Sequence, residues 1–198
     1  MRSIPISLAF AALAMGAAPA EDRRNTDIPH TDTHFHARAY RTLAEWEARA
    51  AQLRKQVLSA AGLLPLPPRN PLRPQVFGRI EQKDYSIEKV YLETLPGYYL
   101  GGNLYRPVGR AGKFPGVLAP HGHSQYGRLE NSTLFSLPAR AINLARQGYV
   151  VFGYDMVGYN DTIQTPHVFG GKREELWSFG PLGLQTWNSI RALDFLES

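Results

Sequence analysis

The chain has 198 residues, of which 43% are hydrophobic and 20% charged, and its formal net charge is +5. This length suits one domain with a real core, and the 11% aromatic content argues against a disordered chain. The chain has no cysteine, which excludes disulfides, a cysteine nucleophile and cysteine-ligated zinc. The basic residues are dispersed, so we expect no nucleic-acid partner.

The first twenty residues have the pattern of a secretory signal peptide. Arg2 provides a positive start, Ile6 to Met15 is a short apolar run, and Ala18-Pro19-Ala20 offers a cleavage site before Glu21. The run is too short to span a bilayer. We therefore expect a secreted or periplasmic protein that has no membrane association once residues 1–20 are removed.

Residues 21–41 are polar without periodicity and are predicted to be a linker. Within it, Asp32, His34 and His36 form an Asp-x-His-x-His pattern that resembles the opening metal site of amidohydrolases. Two imidazoles at i and i+2 on a strand can share one metal ion. The segment before them is polar and contains proline, and a helix follows, which does not suit a barrel. Surface histidines are the favoured interpretation, and we expect no metal or cofactor.

Residues 42–75 are predicted to form an N-terminal helix and an extended connector. Apolar residues recur at helical spacing from Leu43 to Val57, and Gly62 can end the helix. The segment from Leu63 to Pro74 holds five prolines in twelve residues, which favours an extended chain.

Residues 76–198 predict an α/β domain. Strands over 85–94 and 98–106 are joined by Pro96-Gly97 as a hairpin. An apolar strand over 116–120, a helix over 137–147, a buried strand over 149–155 and a helix over 182–197 follow. This alternation predicts parallel pairing, with the far edge of the sheet unpaired and both of these strands covered on two faces.

Four segments together resemble a known family. They are the predicted hairpin, the strand that ends in His121-Gly122-His123, the stretch from Leu144 to Tyr159, and the helix from Gly183 to Leu196. They resemble α/β-hydrolases, most closely the acetylxylan-esterase and dienelactone-hydrolase-like branch of secreted bacterial esterases. The resemblance implies an α/β-hydrolase fold, a Ser-His-Asp/Glu mechanism without a cofactor, and a small-molecule or carbohydrate ester as substrate.

The resemblance also implies roles for residues near the strand ends. The backbone N–H of His123 would be one oxyanion-hole donor, with Gly122 allowing close approach. Tyr154, Asp155 and Tyr159 are substrate-pocket candidates, because ligands bind at the carboxyl ends of strands in open α/β sheets. His121 is a further pocket candidate, although a ring that hydrogen-bonds the neighbouring loop is the favoured interpretation.

The nucleophile is not evident. In this family it occupies Gly-x-Ser-x-Gly, and the nearest match is Gly122-His123-Ser124-Gln125-Tyr126, with tyrosine in place of the second glycine. Ser124, Asp161 and His167 stand in the chain order of a triad but come from only two loops. We therefore expect the domain to be incomplete, with nucleophile, acid and base beyond Ser198 and no catalysis by the chain alone.

A non-catalytic sugar-binding module is the alternative from a different class. Exposed aromatic rings can stack on sugars, although core packing is the more common role of aromatics in strands. The candidates are Tyr98, Tyr99, Tyr105, Tyr126, Tyr159 and Trp177.

Overall fold

The computed structural model describes residues 28–34, 36 and 38–198, in two units that divide after Thr42. The predicted signal peptide lies outside the described residues, as does part of the predicted linker. In the first unit, residues 30–33 form a turn in which the Thr33 N–H donates to the His30 carbonyl at 2.9 Å. Among the described residues, no helix is both long and apolar enough to cross a membrane. The second unit is Leu43–Ser198.

Helix α1 spans Leu43–Ala60, as the apolar spacing predicts. Gly62, at φ +68°, ends it, and the Leu63 N–H donates to the Leu58 carbonyl. Only this end is buried: Leu63 is fully covered and packs with Trp187. Its apolar face is largely exposed, with Leu43 at 70% and Val57 at 61%.

The sheet has five strands in the order β1-β2-β3-β5-β4. Their ranges are β1 Gln75–Glu81, β2 Tyr85–Leu95, β3 Tyr98–Pro107, β4 Gly116–Leu118 and β5 Val150–Tyr154. The expected hairpin is β2 and β3, and β1 extends it, which the sequence analysis missed. β3 and β5 are antiparallel, whereas β4 and β5 are parallel as predicted.

The prediction that both parallel strands are covered on two faces is wrong for β4. β5 is buried along almost all its length, but Gly116 is exposed and Val117 and Leu118 are only half-buried. The reason is position, since β4 is the outermost strand and no described strand pairs with its other side. The expected unpaired edge is therefore present.

Helices cover the two faces of the sheet. Helix α2, Leu137–Gln147, packs against Val151, and helix α4, Pro181–Glu197, lies over Phe152, the next residue of β5. Because neighbouring side chains of a strand point to opposite faces, β5 is covered by one helix on each side. A short helix, α3 at Lys172–Leu176, lies between β5 and α4.

Candidate active site

Two loops meet at the carboxyl ends of β4 and β5. The β4 loop, residues 119–126, leads into a 3-10 turn at Gly127–Leu129, and the β5 loop comprises residues 155–171. Val117 pairs with Val151 in parallel register, so both strands deliver their following residues to the same edge. This is the edge at which ligands bind in open α/β sheets.

Two glycines allow the loops to approach each other. Gly127 has φ +55°, and a Cβ there would lie 2.3 Å from the Asn160 Oδ1. Gly158 has φ +80°, and a Cβ there would lie 2.1 Å from the His167 backbone nitrogen. A side chain at either position would therefore be both strained and crowded.

His121 is buried and links the two loops. The Met156 N–H donates to its Nε2 at 3.0 Å, and its Nδ1 lies 2.8 Å from the Gly122 carbonyl oxygen. A carbonyl can only accept, so Nδ1 carries the proton and the ring is neutral. Burial lowers the pKa of His121 below its ordinary value of 6.5. Both ring nitrogens are thus committed to backbone groups.

Gly122 and His123 are exposed directly after this buried ring. Their backbone N–H groups donate to no acceptor in the part of the chain that the structure describes. The next N–H, of Ser124, closes a tight turn onto the Gly122 carbonyl at 2.9 Å. Two adjacent unpaired donors at a strand end suit a developing negative charge on a substrate oxygen.

The His123 ring reaches across to the β5 loop. Its Nε2 lies 2.9 Å from the Nε2 of His167, and the Nδ1 of His167 lies 2.8 Å from the Val157 carbonyl oxygen. The ring of Tyr159 packs edge-on against His121 and His167, with centroids 5.1 and 5.0 Å away. Tyr159 therefore contacts histidines from both loops.

The order Ser124, Asp161, His167 is not assembled as a triad. The Ser124 Oγ donates to the Gly127 carbonyl at 3.3 Å, and Asp161 pairs with Arg128. His167 is engaged by His123 and Val157 instead. None of the hydrogen bonds that would activate Ser124 is present.

Asp155 is the centre of a buried polar network. Its carboxylate accepts from Arg128 and, at 3.0 Å, from the Asp161 N–H. Arg128 also donates to Asn103 at 2.7 Å and to Asp161. Burial raises the pKa of Asp155 to about 6, against the opposing effect of Arg128. Sequence reasoning missed Arg128, because nothing local marks a residue whose partner lies 27 positions away.

A cavity of about 170 Å³ lies beside the His121 ring. The hydroxyl of Tyr154, one of its lining residues, donates to the Ser189 Oγ at 2.9 Å. Three of the four pocket candidates, His121, Tyr154 and Asp155, line the cavity, whereas Tyr159 does not. The remaining lining residues are Pro120, Met156, Gln185 and Ser189.

The sequence suggests two alternative sites, a metal site at Asp32, His34 and His36 and a sugar-binding surface of aromatic rings. Among the described residues, Asp32, His34 and His36 included, no three His, Asp or Glu side chains are grouped to hold a metal ion. Of the six aromatic candidates, Tyr99 alone lines a groove of about 770 Å³ between β1 and β3, together with Phe77 and Tyr91. Tyr105 is in the core, and Trp177 is 83% exposed elsewhere.

Comparison with solved structures places this arrangement in a known architecture. A methylesterase aligns with 79% of this chain and 33% of its own length, at 27% identity and a TM-score of 0.60. A Bacteroides fragilis protein assigned as an acetyl xylan esterase aligns with 77% of this chain and 43% of its own, at 14% identity and a TM-score of 0.60. An acetyl xylan esterase from Paenibacillus sp. R4 aligns at 20% identity and a TM-score of 0.50.

The chain has an esterase-like α/β-hydrolase fold and spans less than half the length of these structures. This confirms the fold class predicted from the sequence. No protein-family model and no curated protein sequence matches the chain.

Proposed function

We propose that this chain supplies the oxyanion-hole loop and part of the substrate pocket of a serine carboxylic-ester hydrolase acting on esters of carbohydrates. The observation that carries the proposal is the pair of unpaired backbone donors at Gly122 and His123, held at the end of β4 beside the His121 cavity. The esterase-like fold and the names of the similar structures support it.

In this proposal, attack by serine on the ester carbonyl would place negative charge on the carbonyl oxygen. The His123 N–H would donate to that oxygen, and Gly122 leaves room because nothing lies within 4 Å of where its Cβ would be. Alcohol leaves, and water hydrolyses the acyl-enzyme. Asp155 and Arg128 would hold the β5 loop rather than react, since each is committed to the other.

We propose that the nucleophile, acid and base come from residues outside this sequence. No serine in the chain stands in Gly-x-Ser-x-Gly, and Ser124 has no activating partner. The free side of β4 would accept the strand that carries the nucleophile, because a parallel strand there extends the sheet. This chain aligns with only 33%, 43% and 45% of the lengths of the three similar structures, which supports this assignment.

The test uses the protein translated from the complete open reading frame, assayed on acetylated xylo-oligosaccharides. His123→Pro removes the backbone donor, whereas His123→Ala keeps it and removes only the ring. We expect the proline variant to lose about 10²–10³-fold in kcat and the alanine variant much less. Equal activities of the two variants, or no ester hydrolysis by the unmutated protein, would contradict the proposal.

We also propose export, directed by residues 1–20. The expected mature protein begins at Glu21, which N-terminal sequencing of the exported fraction would show. A protein that retains Met1 and stays in the cytoplasm would contradict it.

A second candidate function, binding of a sugar chain, is favoured by the groove along β1 to β3. Phe77, Tyr91 and Tyr99 are each 42–50% exposed there and form a row. The ring centroids of Phe77 and Tyr91 lie 6.2 Å apart, and those of Tyr91 and Tyr99 lie 5.9 Å apart. Aromatic rings of this kind can pack on sugar faces. Titration with xylo-oligosaccharides should show binding that Tyr91→Ala and Tyr99→Ala weaken and Tyr126→Ala, outside the groove, does not.

A further inference from the structure

We propose that His167 is a positioning residue for the backbone donor at His123, acting through a direct hydrogen bond between the two imidazoles. His123 and His167 together form a histidine pair. The inference deepens the proposed function, because it identifies what holds the oxyanion loop in place. It rests on geometry that can be measured without any enzymatic assay.

The direction of the hydrogen bond follows from the third partner. The Nδ1 of His167 faces the Val157 carbonyl oxygen at 2.8 Å, so this nitrogen carries a proton. In the neutral ring the Nε2 of His167 then holds a lone pair. The facing Nε2 of His123, 2.9 Å away, must be the donor, which leaves the His123 Nδ1 without a proton.

The two rings are oriented for such a bond. Their centroids lie 4.9 Å apart, well beyond the 2.9 Å between the nitrogens, so the nitrogen edges of the rings face each other. Such an arrangement suits one N–H donor and one lone pair. Two donors in this position would repel each other.

His167 is itself held in a defined position. Its backbone packs against Gly158, where even a Cβ would clash, and the edge of Tyr159 contacts its ring. Val157, which accepts from its Nδ1, is fully buried. His167 is therefore a supported residue to which a less supported one can bind.

The tip of the β4 loop is held at the Gly122 carbonyl, and the ring contact adds a second point of attachment at His123. Gly122 and His123 are exposed, and the space around Gly122 is open. The Gly122 carbonyl accepts from the Ser124 N–H and from the buried His121 ring, whereas the His123 ring makes the direct contact between His123 and the β5 loop. Loss of the ring contact should free the backbone donor to move.

The first experiment is long-range ¹H–¹⁵N NMR of the histidine side chains in the full chain at neutral pH. We expect His123 in its Nε2–H form and His167 in its Nδ1–H form, with His121 as an internal Nδ1–H reference. A His123 ring in the Nδ1–H form, or a His167 ring in the Nε2–H form, would overturn the proposal.

The second experiment compares His167→Phe with His167→Gln. Phenylalanine fills the space without a hydrogen bond, whereas the glutamine amide offers both an acceptor for His123 and a donor. We expect amide exchange at Ser124 to rise about tenfold in the phenylalanine variant and to recover in the glutamine variant. His36→Phe, an exposed histidine in the other unit, is the matched control and should change nothing.

A double variant tests whether the two rings act together. If His123 holds the loop only through His167, adding His123→Ala to His167→Phe should raise Ser124 exchange no further. Additive increases would overturn the proposal. Circular dichroism of each variant should match the parent, because the exchange change is local.

These measurements separate the inference from the proposed function. The expected tautomers together with a full-length protein lacking ester hydrolysis would refute the esterase proposal and leave the histidine pair intact. Ester hydrolysis without the expected tautomers would do the reverse. In an active full-length protein, His167→Phe should lower kcat with little change in KM, since it misplaces a transition-state donor.

Discussion

Two regions of this chain, α1 with β1 and the β4 loop with the β5 loop, differ in what fixes their structure. Helix α1 and strand β1 are regular, yet no residue of either is buried. The β4 and β5 loops have almost no regular structure, yet they hold His121, Asp155 and Thr162 in buried positions with hydrogen-bond partners. In this chain, buried polar contacts between the loops therefore indicate local rigidity better than regular secondary structure does.

The largest expected effect comes from breaking the buried network of the loops. Arg128→Ala leaves the Asp155 carboxylate in a fully buried position without its charged partner. We expect a loss of about 3–5 kcal/mol in the free energy of unfolding, measured with urea. Arg79→Ala, which breaks an exposed pair with Glu81 on β1 and leaves Glu88 paired with Arg106, is the control and should have little effect. Equal losses of unfolding free energy in the two variants would contradict the difference between the two regions.

A glycine pair tests the close approach of the loops. Gly109 and Gly158 both have positive φ, but nothing lies within 4 Å of a Cβ at Gly109. Gly109→Ala should cost about 1–2 kcal/mol in the free energy of unfolding, from the left-handed backbone alone. Gly158→Ala should cost clearly more, because the His167 backbone must also move. Similar losses in the two variants would show that the loops do not press together.

The pH dependence of stability should carry a contribution from His121. Its pKa is lowered in the folded chain, so as pH falls below about 6.5 the unfolded chain takes up a proton that the folded chain does not. This contribution to stability is present above pH 6.5 and is lost on acidification.

The measurement compares urea midpoints at pH 7.5 and 5 for the parent chain and His121→Gln. Asp155 acts in the opposite direction, because its raised pKa of about 6 favours the folded chain on acidification. The difference between the parent and the variant isolates His121, and the parent should lose more stability. A variant that loses as much as the parent would contradict the buried neutral ring.

The smallest effect is expected in helix α1. Val57→Ser replaces a side chain that is 61% exposed and should change the free energy of unfolding by less than about 0.5 kcal/mol. Leu63→Ala, three residues beyond the end of the helix and fully buried, should cost about 2–5 kcal/mol. A large effect of Val57→Ser would show that the helix face is covered.

The sequence predicted elements whose signals are local. The spacing of apolar residues predicted α1, α2 and α4. Helix α2 begins after Ser136 and ends at Gly148, which adopts the left-handed backbone that glycine favours at a helix end. Strand β1 was not predicted. Every residue of it is exposed, so its sequence lacks the alternation of apolar and polar residues that marks a half-buried strand. The edge position of β4 depends on strand order, which three apolar residues do not specify.

The candidate site was predictable only in outline. The His-Gly-His stretch pointed to the β4 loop, because a strand that breaks into glycine has a recognisable pattern. The contacts that organise the loop, from Arg128 to Asp155 and from His123 to His167, join residues 27 and 44 positions apart. Pairings of this kind arise from tertiary packing and leave no local trace in the sequence.

The most direct test of the central claim identifies the serine that a fluorophosphonate modifies. The protein from the complete open reading frame is treated with the probe and the labelled peptide is sequenced by mass spectrometry. The account predicts one labelled serine within Gly-x-Ser-x-Gly outside residues 1–198, with Ser124 unmodified. A label on Ser124, or a reading frame that ends at Ser198 without any labelled serine, would contradict it.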